Sequence, residues 1–317
     1  MAHTEPVTVL LPVRDGEMTL KAAIRDLLLG MRDSDELLVV DDGSEDRTPA
    51  MLAEAEDSDN RLRVVRTLRT GLVGSLNLGL REASNRLIAR ADADDRYPVD
   101  RFERQRAQLR PGVVLVTGDY RIRAGGKLLG EIPCPMTPPF VAASLIHPQR
   151  IPHPGVLLDR DAVIDAGGYR PEDFPAEDLA LWLRLSAQGD FVGAPAVTVD
   201  WTMSSSSISH RNQAIQREKT ASLLRMIPSS VIAQIDVDGV RKEIAAYSDT
   251  RLEGVRKVLL ARDLHSLASV GLPAVAYKES LKALGRNPVN TAMAITRVFQ
   301  GKRRRDRVRA SIGAVEP

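Results

Sequence analysis

Val7-Thr8-Val9-Leu10-Leu11-Pro12-Val13 is a near-continuous apolar, β-branched run without polar alternation. Such a run is the pattern of a strand buried on both faces, as strands are in a parallel sheet covered by helices. Leu20, Ala23, Ile24, Leu27 and Leu28 follow at helical spacing, residues 36–40 repeat the buried-strand pattern, and Thr48-Pro49 opens a second helix with proline in its first turn. The alternation continues as strand 62–66, helix 72–83, strand 86–89, helix 98–109 and strand 113–117. This order predicts an α/β fold with a doubly wound, mostly parallel sheet. Ligands in such sheets lie beyond the carboxyl ends of the strands. The segments found there are Arg14-Asp15-Gly16, Asp41-Asp42-Gly43-Ser44 and Asp92-Ala93-Asp94-Asp95.

From Tyr120 the pattern becomes mixed, predicting an α+β extension. It holds a hairpin turning at Gly125-Gly126, a Pro-rich crossing over 133–139, a helix, and a strand near 155–158. A loop over 167–177 then enters a helix bearing Leu179, Trp182, Leu183 and Leu185, and a last strand follows at 191–199. The polar run 204–207 reads as a linker. Beyond it, Val255, Val258, Leu259 and Leu264, or Ala274, Ala276, Leu281 and Leu284, keep helical spacing without strand alternation. The expected organisation is a domain over 1–207, with halves 1–118 and 119–207, and a C-terminal helical module over 208–317 that ends in a basic tail.

Composition bounds the function. The chain has 317 residues, 43% hydrophobic and 27% charged, with 44 Lys plus Arg against 42 Asp plus Glu, which suits an ordinary globular protein of about two domains. Lys302, Arg303, Arg304, Arg305, Arg307 and Arg309 concentrate positive charge at the end, so the remainder is close to neutral and no general nucleic-acid-binding surface is expected. Cys134 is the only cysteine, which excludes an internal disulfide and a Cys-rich zinc site and suits a reducing compartment. No apolar run approaches the ~18 residues of a membrane span, and the start, with Glu5, lacks the basic flank and apolar core of a signal peptide. A cytoplasmic location is expected. The tail follows Ala292, Ile295, Val298 and Phe299, and reads either as a solvated end or as a peripheral contact with an anionic membrane face.

Two aspartates one residue apart, Asp92 and Asp94, offer hard oxygen ligands suited to Mn²⁺ or Mg²⁺. The competing reading is a polar turn in which Asp95 caps the next helix. Asp41-Asp42-Gly43-Ser44 is likewise either a ligand turn or a turn into a helix cap. Two acidic turns after two strands of one sheet converge on one crevice, which favours a ligand. Glu177-Asp178, at a helix start, can accept a proton from a hydroxyl, with capping by Asp178 as the alternative. His147 and His153 read as structural histidines, and Cys134 as inert.

These motifs in this order resemble the inverting, metal-dependent glycosyltransferases of family 2, which have the GT-A fold. The resemblance runs over residues 5–209. It is carried by Leu11-Pro12-Val13-Arg14, by Val39-Val40-Asp41-Asp42-Gly43-Ser44 with Asp46 and Thr48, by Gly71-Leu72 with Ser75-Leu76-Asn77 and Gly79, and by Asp92-Ala93-Asp94-Asp95 with Arg101-Phe102 and Gln105. It continues through Gly167-Gly168-Tyr169, Glu177-Asp178 and Leu181-Trp182-Leu183-Arg184. It implies that Pro12, Val13, Arg14 and Asp42 line the nucleotide base and ribose, with Arg90 and Asp92 near ribose and diphosphate. Asp94, with Asp92, is implied as metal ligand, Asp178 as general base, and Glu177 as the residue placing loop or acceptor. The implied partners are a nucleotide-sugar donor, UDP-sugar by default, and a saccharide or lipid-linked acceptor in cell-surface polysaccharide, glycolipid or glycoconjugate synthesis; the helical module suits a homo-oligomer contact or a lid. Relatives often end this domain with Tyr-Arg and a later His, whereas Trp201-Thr202-Met203-Ser204 stands here, which leaves the third metal ligand open. Two other readings are a non-catalytic scaffold and a sugar-1-phosphate nucleotidyltransferase, the latter weakened because Pro12-Val13-Arg14-Asp15-Gly16 lacks its Gly-rich phosphate loop.

Overall fold

A computed structural model of the chain describes residues 5–132, 134, 151–202 and 212–224, all within one compact unit spanning 1–236. The 207/208 boundary, the Pro-rich crossing and its helix, His147, the basic tail and all of the C-terminal module but 212–224 lie outside the described residues.

The elements are β1 (Val7–Val13), α1 (Leu20–Gly30), β2 (Glu36–Asp41), α2 (Thr48–Ser58), β3 (Leu62–Arg66), α3 (Gly71–Glu82), β4 (Leu87–Arg90), α4 (Arg101–Arg106), β5 (Val113–Ala124), β6 (Lys127–Ile132), β7 (Leu157–Asp159), α5 (Arg160–Asp165), α6 (Glu177–Leu185), β8 (Asp190–Thr202) and α7 (Gln213–Leu224). They build an eight-stranded sheet in the order β3-β2-β1-β4-β7-β5-β6, with β8 also pairing β5. β1 through β4 are mutually parallel, as their uninterrupted apolar runs require. All seven residues of β1 are buried.

Pro12 sits within this central strand without breaking it. Leu10 turns its carbonyl toward β4, accepting from the Ala91 N–H, while Val13 turns its own toward β2, accepting from the Asp42 N–H. Pro12 therefore faces the β4 side, where pairing has ended at Leu10↔Arg90, and its missing N–H leaves no ladder bond unmade. α3 packs directly on this strand through Gly79, where a Cβ would strike the Leu10 side chain.

The sheet departs from the simple parallel order in one place. β7, only three residues long, inserts antiparallel between β4 and β5. Sequence order alone places β5 beside β4, but two buried polar side chains of α4 stabilise the insertion. The Arg101 guanidinium donates to the Arg90 and Val156 carbonyls at 2.8 and 3.1 Å, and the Gln105 amide donates to the Val116 and Gly155 carbonyls at 3.1 and 2.9 Å. Both residues are fully buried, and they satisfy carbonyls from all three strand regions at the joint. The division at 118/119 falls inside β5, which pairs with β8 over most of its length.

Candidate active site

The Asp92-to-Asp95 turn leaves β4 at the carboxyl edge of the sheet. Tyr97, a residue the motif reading passed over, shapes it: its hydroxyl accepts from the Asp92 N–H at 2.6 Å and donates to the Asp92 carbonyl at 2.9 Å. Arg101 lies over the Tyr97 ring at 5.1 Å and so joins the turn to the β7 insertion. Asp92, Asp94 and Asp95 each present a carboxylate oxygen, all within 4.8 Å of one another. Burial and the neighbouring Asp92 charge push Asp94 up to about 6, and the same causes, with Asp94 added, raise Asp95. The turn thus stores carboxylate repulsion that a divalent cation would relieve, and a donor set of hard oxygens fits Mg²⁺ or Mn²⁺.

Asp95 does not cap the next helix. One of its oxygens accepts from the Thr202 N–H at 2.7 Å, tying the turn to the end of β8, and the other is buried with no hydrogen-bond partner. The α4 cap is Asp100, without a side-chain cap bond. Asp95 therefore joins Asp92 and Asp94 as the third carboxylate of the cluster.

Glu177 and Asp178 open α6; the cap position belongs to Ala176, and Asp178 Oδ1 accepts from the first-turn N–H of Leu179 at 2.7 Å. Asp178 is partly exposed, and one oxygen of the buried Glu177 has no hydrogen-bond partner. Burial raises both groups, Glu177 to about 7 with Asp178 as its second cause. The charges of Arg90 and Asp92 bear on both residues, Arg90 favouring their ionised forms and Asp92 opposing them. Arg90 itself is fully buried, pairs with Asp92, and keeps its Nε without a hydrogen-bond partner. A buried guanidinium between two acidic clusters lowers the cost of keeping them ionised.

Pro12 and Val13 end β1 in the core, and Arg14 emerges exposed beside Asp15 at 3.6 Å. Asp42 is buried, and its carboxylate accepts from the Thr70 N–H at 2.6 Å, the Thr70 hydroxyl at 3.1 Å and the Gly71 N–H at 2.9 Å. It thereby holds the start of α3. Gly43 adopts φ +70° against Arg69, where a Cβ would press on both backbone and side chain.

Arg47, at the cap position of α2, makes no side-chain cap bond, and the first-turn N–H of Thr48 is met by Asp46 Oδ1 at 2.8 Å. The same motif also clamps the neighbouring loop. The N–H groups of Asp15, Gly16 and Glu17 donate in turn to Ser44 Oγ at 2.9 Å, Thr48 Oγ1 at 2.8 Å and Asp46 Oδ2 at 3.0 Å. Asp15 and Glu17 return bonds to the N–H groups of Glu45 and Arg47 at 2.8 and 3.2 Å. Ser, Asp and Thr at these offsets were visible in sequence, but nothing local told a cap from a clamp.

His153 bonds the Tyr169 hydroxyl at 2.9 Å and packs edge-on to Trp182 at 5.8 Å. Burial, assisted by Arg90, holds it well below its usual value, so it is a neutral structural group. Cys134 is buried, its N–H donating to Asp119 at 2.6 Å.

Residues 8–131 match the model of the family described as "Glycosyl transferase family 2". The chain is 28% identical over 214 residues to the UDP-Glc:alpha-D-GlcNAc-diphosphoundecaprenol beta-1,3-glucosyltransferase WfgD of Escherichia coli, covering 64% of this chain and 79% of that protein. It is 23% identical over 215 residues to a poly-beta-1,6-N-acetyl-D-glucosamine synthase of Staphylococcus aureus, covering 63% of this chain and 50% of that one. Among solved structures, a mannosyltransferase of Pyrobaculum calidifontis in complex with GDP-Man and Mn²⁺ superposes with TM-score 0.56 at 20% identity, over 92% of this chain and 83% of that one. S. aureus TarS 1-349 in complex with UDP-GlcNAc superposes with TM-score 0.58 at 12% identity, over 93% and 92%. These two likenesses speak for the fold.

Proposed function

We propose that the chain is a family 2 glycosyltransferase, a reading supported by the family match over residues 8–131 and by the E. coli relative, and that it transfers a sugar from a nucleoside-diphosphate donor, UDP-sugar by preference, to an acceptor hydroxyl with inversion. The observation that carries this reading is the Asp92, Asp94, Asp95 cluster after β4, with Glu177 and Asp178 within the electrostatic reach of the same buried Arg90 and of Asp92. The E. coli relative is named for a UDP-linked glucose donor and a diphosphoundecaprenol-linked acceptor, which supports a lipid-linked or saccharide acceptor in cell-surface polysaccharide synthesis. No helix among the described residues is long and apolar enough to cross a membrane; contact with the cytoplasmic membrane face would fall to residues beyond them.

Each residue then has a task. Pro12, Val13, Arg14 and Asp42 frame the base and ribose, with Asp42 acting chiefly by fixing the start of α3. Asp94, Asp92 and Asp95 would hold a divalent cation, Mn²⁺ or Mg²⁺, which when bound would neutralise charge on the departing diphosphate. Arg90 holds Asp92 in place and keeps positive charge at the same edge. Asp178 takes the proton of the acceptor hydroxyl as that oxygen attacks the anomeric carbon from the face opposite the diphosphate, and Glu177 stands behind it against the acceptor loop. No covalent enzyme intermediate is needed.

The test is calorimetric titration of UDP and GDP with Mn²⁺ or with chelator, on the wild type, Asp94→Ala and Asp178→Asn. Metal-dependent binding of one nucleotide is expected, lost in Asp94→Ala and kept in Asp178→Asn, with donor turnover lost in both. Nucleotide binding indifferent to metal, or full turnover in either variant, would overturn the assignment.

A further inference from the structure

Asn77 lies midway along α3, and its carboxamide closes a two-point bond with the backbone of a residue 92 positions later: Nδ2 donates to the Tyr169 carbonyl at 2.7 Å, and Oδ1 accepts from the Tyr169 N–H at 3.0 Å. Gly168, just before, takes φ +62°, and a Cβ there would come within 3.0 Å of the Asn77 Oδ1. Tyr169 is buried, and its hydroxyl is held by His153. On the other side of this loop, the Arg184 guanidinium donates to the Gly168 carbonyl at 2.6 Å, the Ala166 carbonyl at 3.1 Å and the Asp173 carboxylate at 2.8 Å. Arg184 belongs to α6, the helix that presents Glu177 and Asp178. The loop over 166–173 is therefore tied to α3 at one side and to α6 at the other, and α3 begins at the residues Asp42 holds.

We infer that Asn77 is a positioning residue, which sets the Asp178 carboxylate relative to the donor by way of the Tyr169 loop and Arg184. This rests on the glycosyltransferase reading with Asp178 as base. A carboxamide suits the task because it both donates to and accepts from the backbone of one residue; aspartate keeps only the acceptor and sets a charge against the Tyr169 carbonyl. Displacements of about 1 Å in a reacting group cost up to ~10²-fold in rate, so a loosened loop is read out in turnover before binding.

The experiment uses the full chain and needs no acceptor other than water. UDP-glucose and UDP-GlcNAc are incubated with Mn²⁺ and UDP release is followed. In that reaction the bond from the anomeric carbon to the diphosphate breaks, water oxygen bonds the carbon, its proton goes to Asp178, and UDP departs. UDP affinity is measured by calorimetry, and amide hydrogen exchange is followed for the peptide containing Tyr169. For Asn77→Asp, UDP affinity within twofold of wild type, UDP release slowed at least tenfold and faster exchange at Tyr169 are expected. Wild-type release, or affinity and release falling by the same factor, overturns the inference. Should Asn77→Asp fail to fold, Arg184→Met cuts the loop's other tie, and wild-type release in that variant overturns it equally. A wild type that binds neither UDP nor GDP sinks the enzymatic reading; unchanged exchange at Tyr169 in Asn77→Asp sinks the link by itself, whatever the activity.

Discussion

Asp42→Ala separates two jobs that a motif carboxylate can hold. In the structure three hydrogen bonds converge on it, from the Thr70 N–H, the Thr70 hydroxyl and the Gly71 N–H. They occupy three of a carboxylate's roughly four lone-pair sites. Thr70 and Gly71 are exposed, so water can replace part of what the substitution removes. The loss then resembles that of a helix N-cap, about 1–2 kcal/mol, with Asp42 5% exposed setting the upper part of that range. For a domain of this size that corresponds to a fall in Tm of about 3–8 °C. Urea unfolding is the assay: the midpoint should drop with m unchanged, while Asp42→Asn, which keeps one acceptor oxygen, should lose about half as much. UDP titration in Mn²⁺ on the same samples shows whether affinity follows the loosened loop. An Asp42→Ala protein with the wild-type midpoint would refute the reasoning, because the carboxylate would then not be what holds the start of α3.

Further expectations concern the metal edge and the core. Asp94, held at about 6, and Glu177, at about 7, bind protons more tightly in the folded chain than in the unfolded one, where carboxylates titrate near ~4. Folded protein thus carries the extra protons between about pH 4 and 7, and the metal-free protein should lose stability as pH rises through that window; a urea midpoint in chelator that climbs instead would contradict it. Mn²⁺ competes with those protons, so its affinity should rise from pH 5 to 7 and level off above, as read by calorimetry. Asp95→Asn should weaken Mn²⁺ binding at least tenfold with Thr202 still able to donate to the remaining oxygen, and unchanged affinity would remove Asp95 from the ligand set. Gly79→Ala drives a methyl into Leu10 and should cost about 1–3 kcal/mol in urea unfolding; a neutral substitution would mean that α3 can retreat from β1.

Much of this protein is legible residue by residue. Runs such as Val7–Val13 and the apolar face of α1 settle which segments are strands and helices, because burial on both faces or on one face imposes its own period on the chain. Strand ends followed by acidic turns point to one sheet edge, and the carboxylates after β4 cluster there. Local pattern is silent where one side chain can satisfy either its own helix or a distant backbone. Ser44 and Thr48 look like a cap and bond the neighbouring loop, while Asp46 serves both that loop and the start of α2; Asp95 bonds the Thr202 N–H rather than its own helix. The antiparallel β7 between β4 and β5 has no period to announce it, since three residues are too few, and it depends on Arg101 and Gln105 reaching carbonyls up to 55 positions away. Neither the bond of Asn77 to Tyr169 nor the field of Arg90 on Glu177 and Asp178 leaves a trace at any fixed spacing. Residue types and periods determined the fold class and the candidate chemistry, whereas the choice of partner for each polar group came only from chain segments brought together by packing, where burial makes an unpartnered donor or acceptor costly.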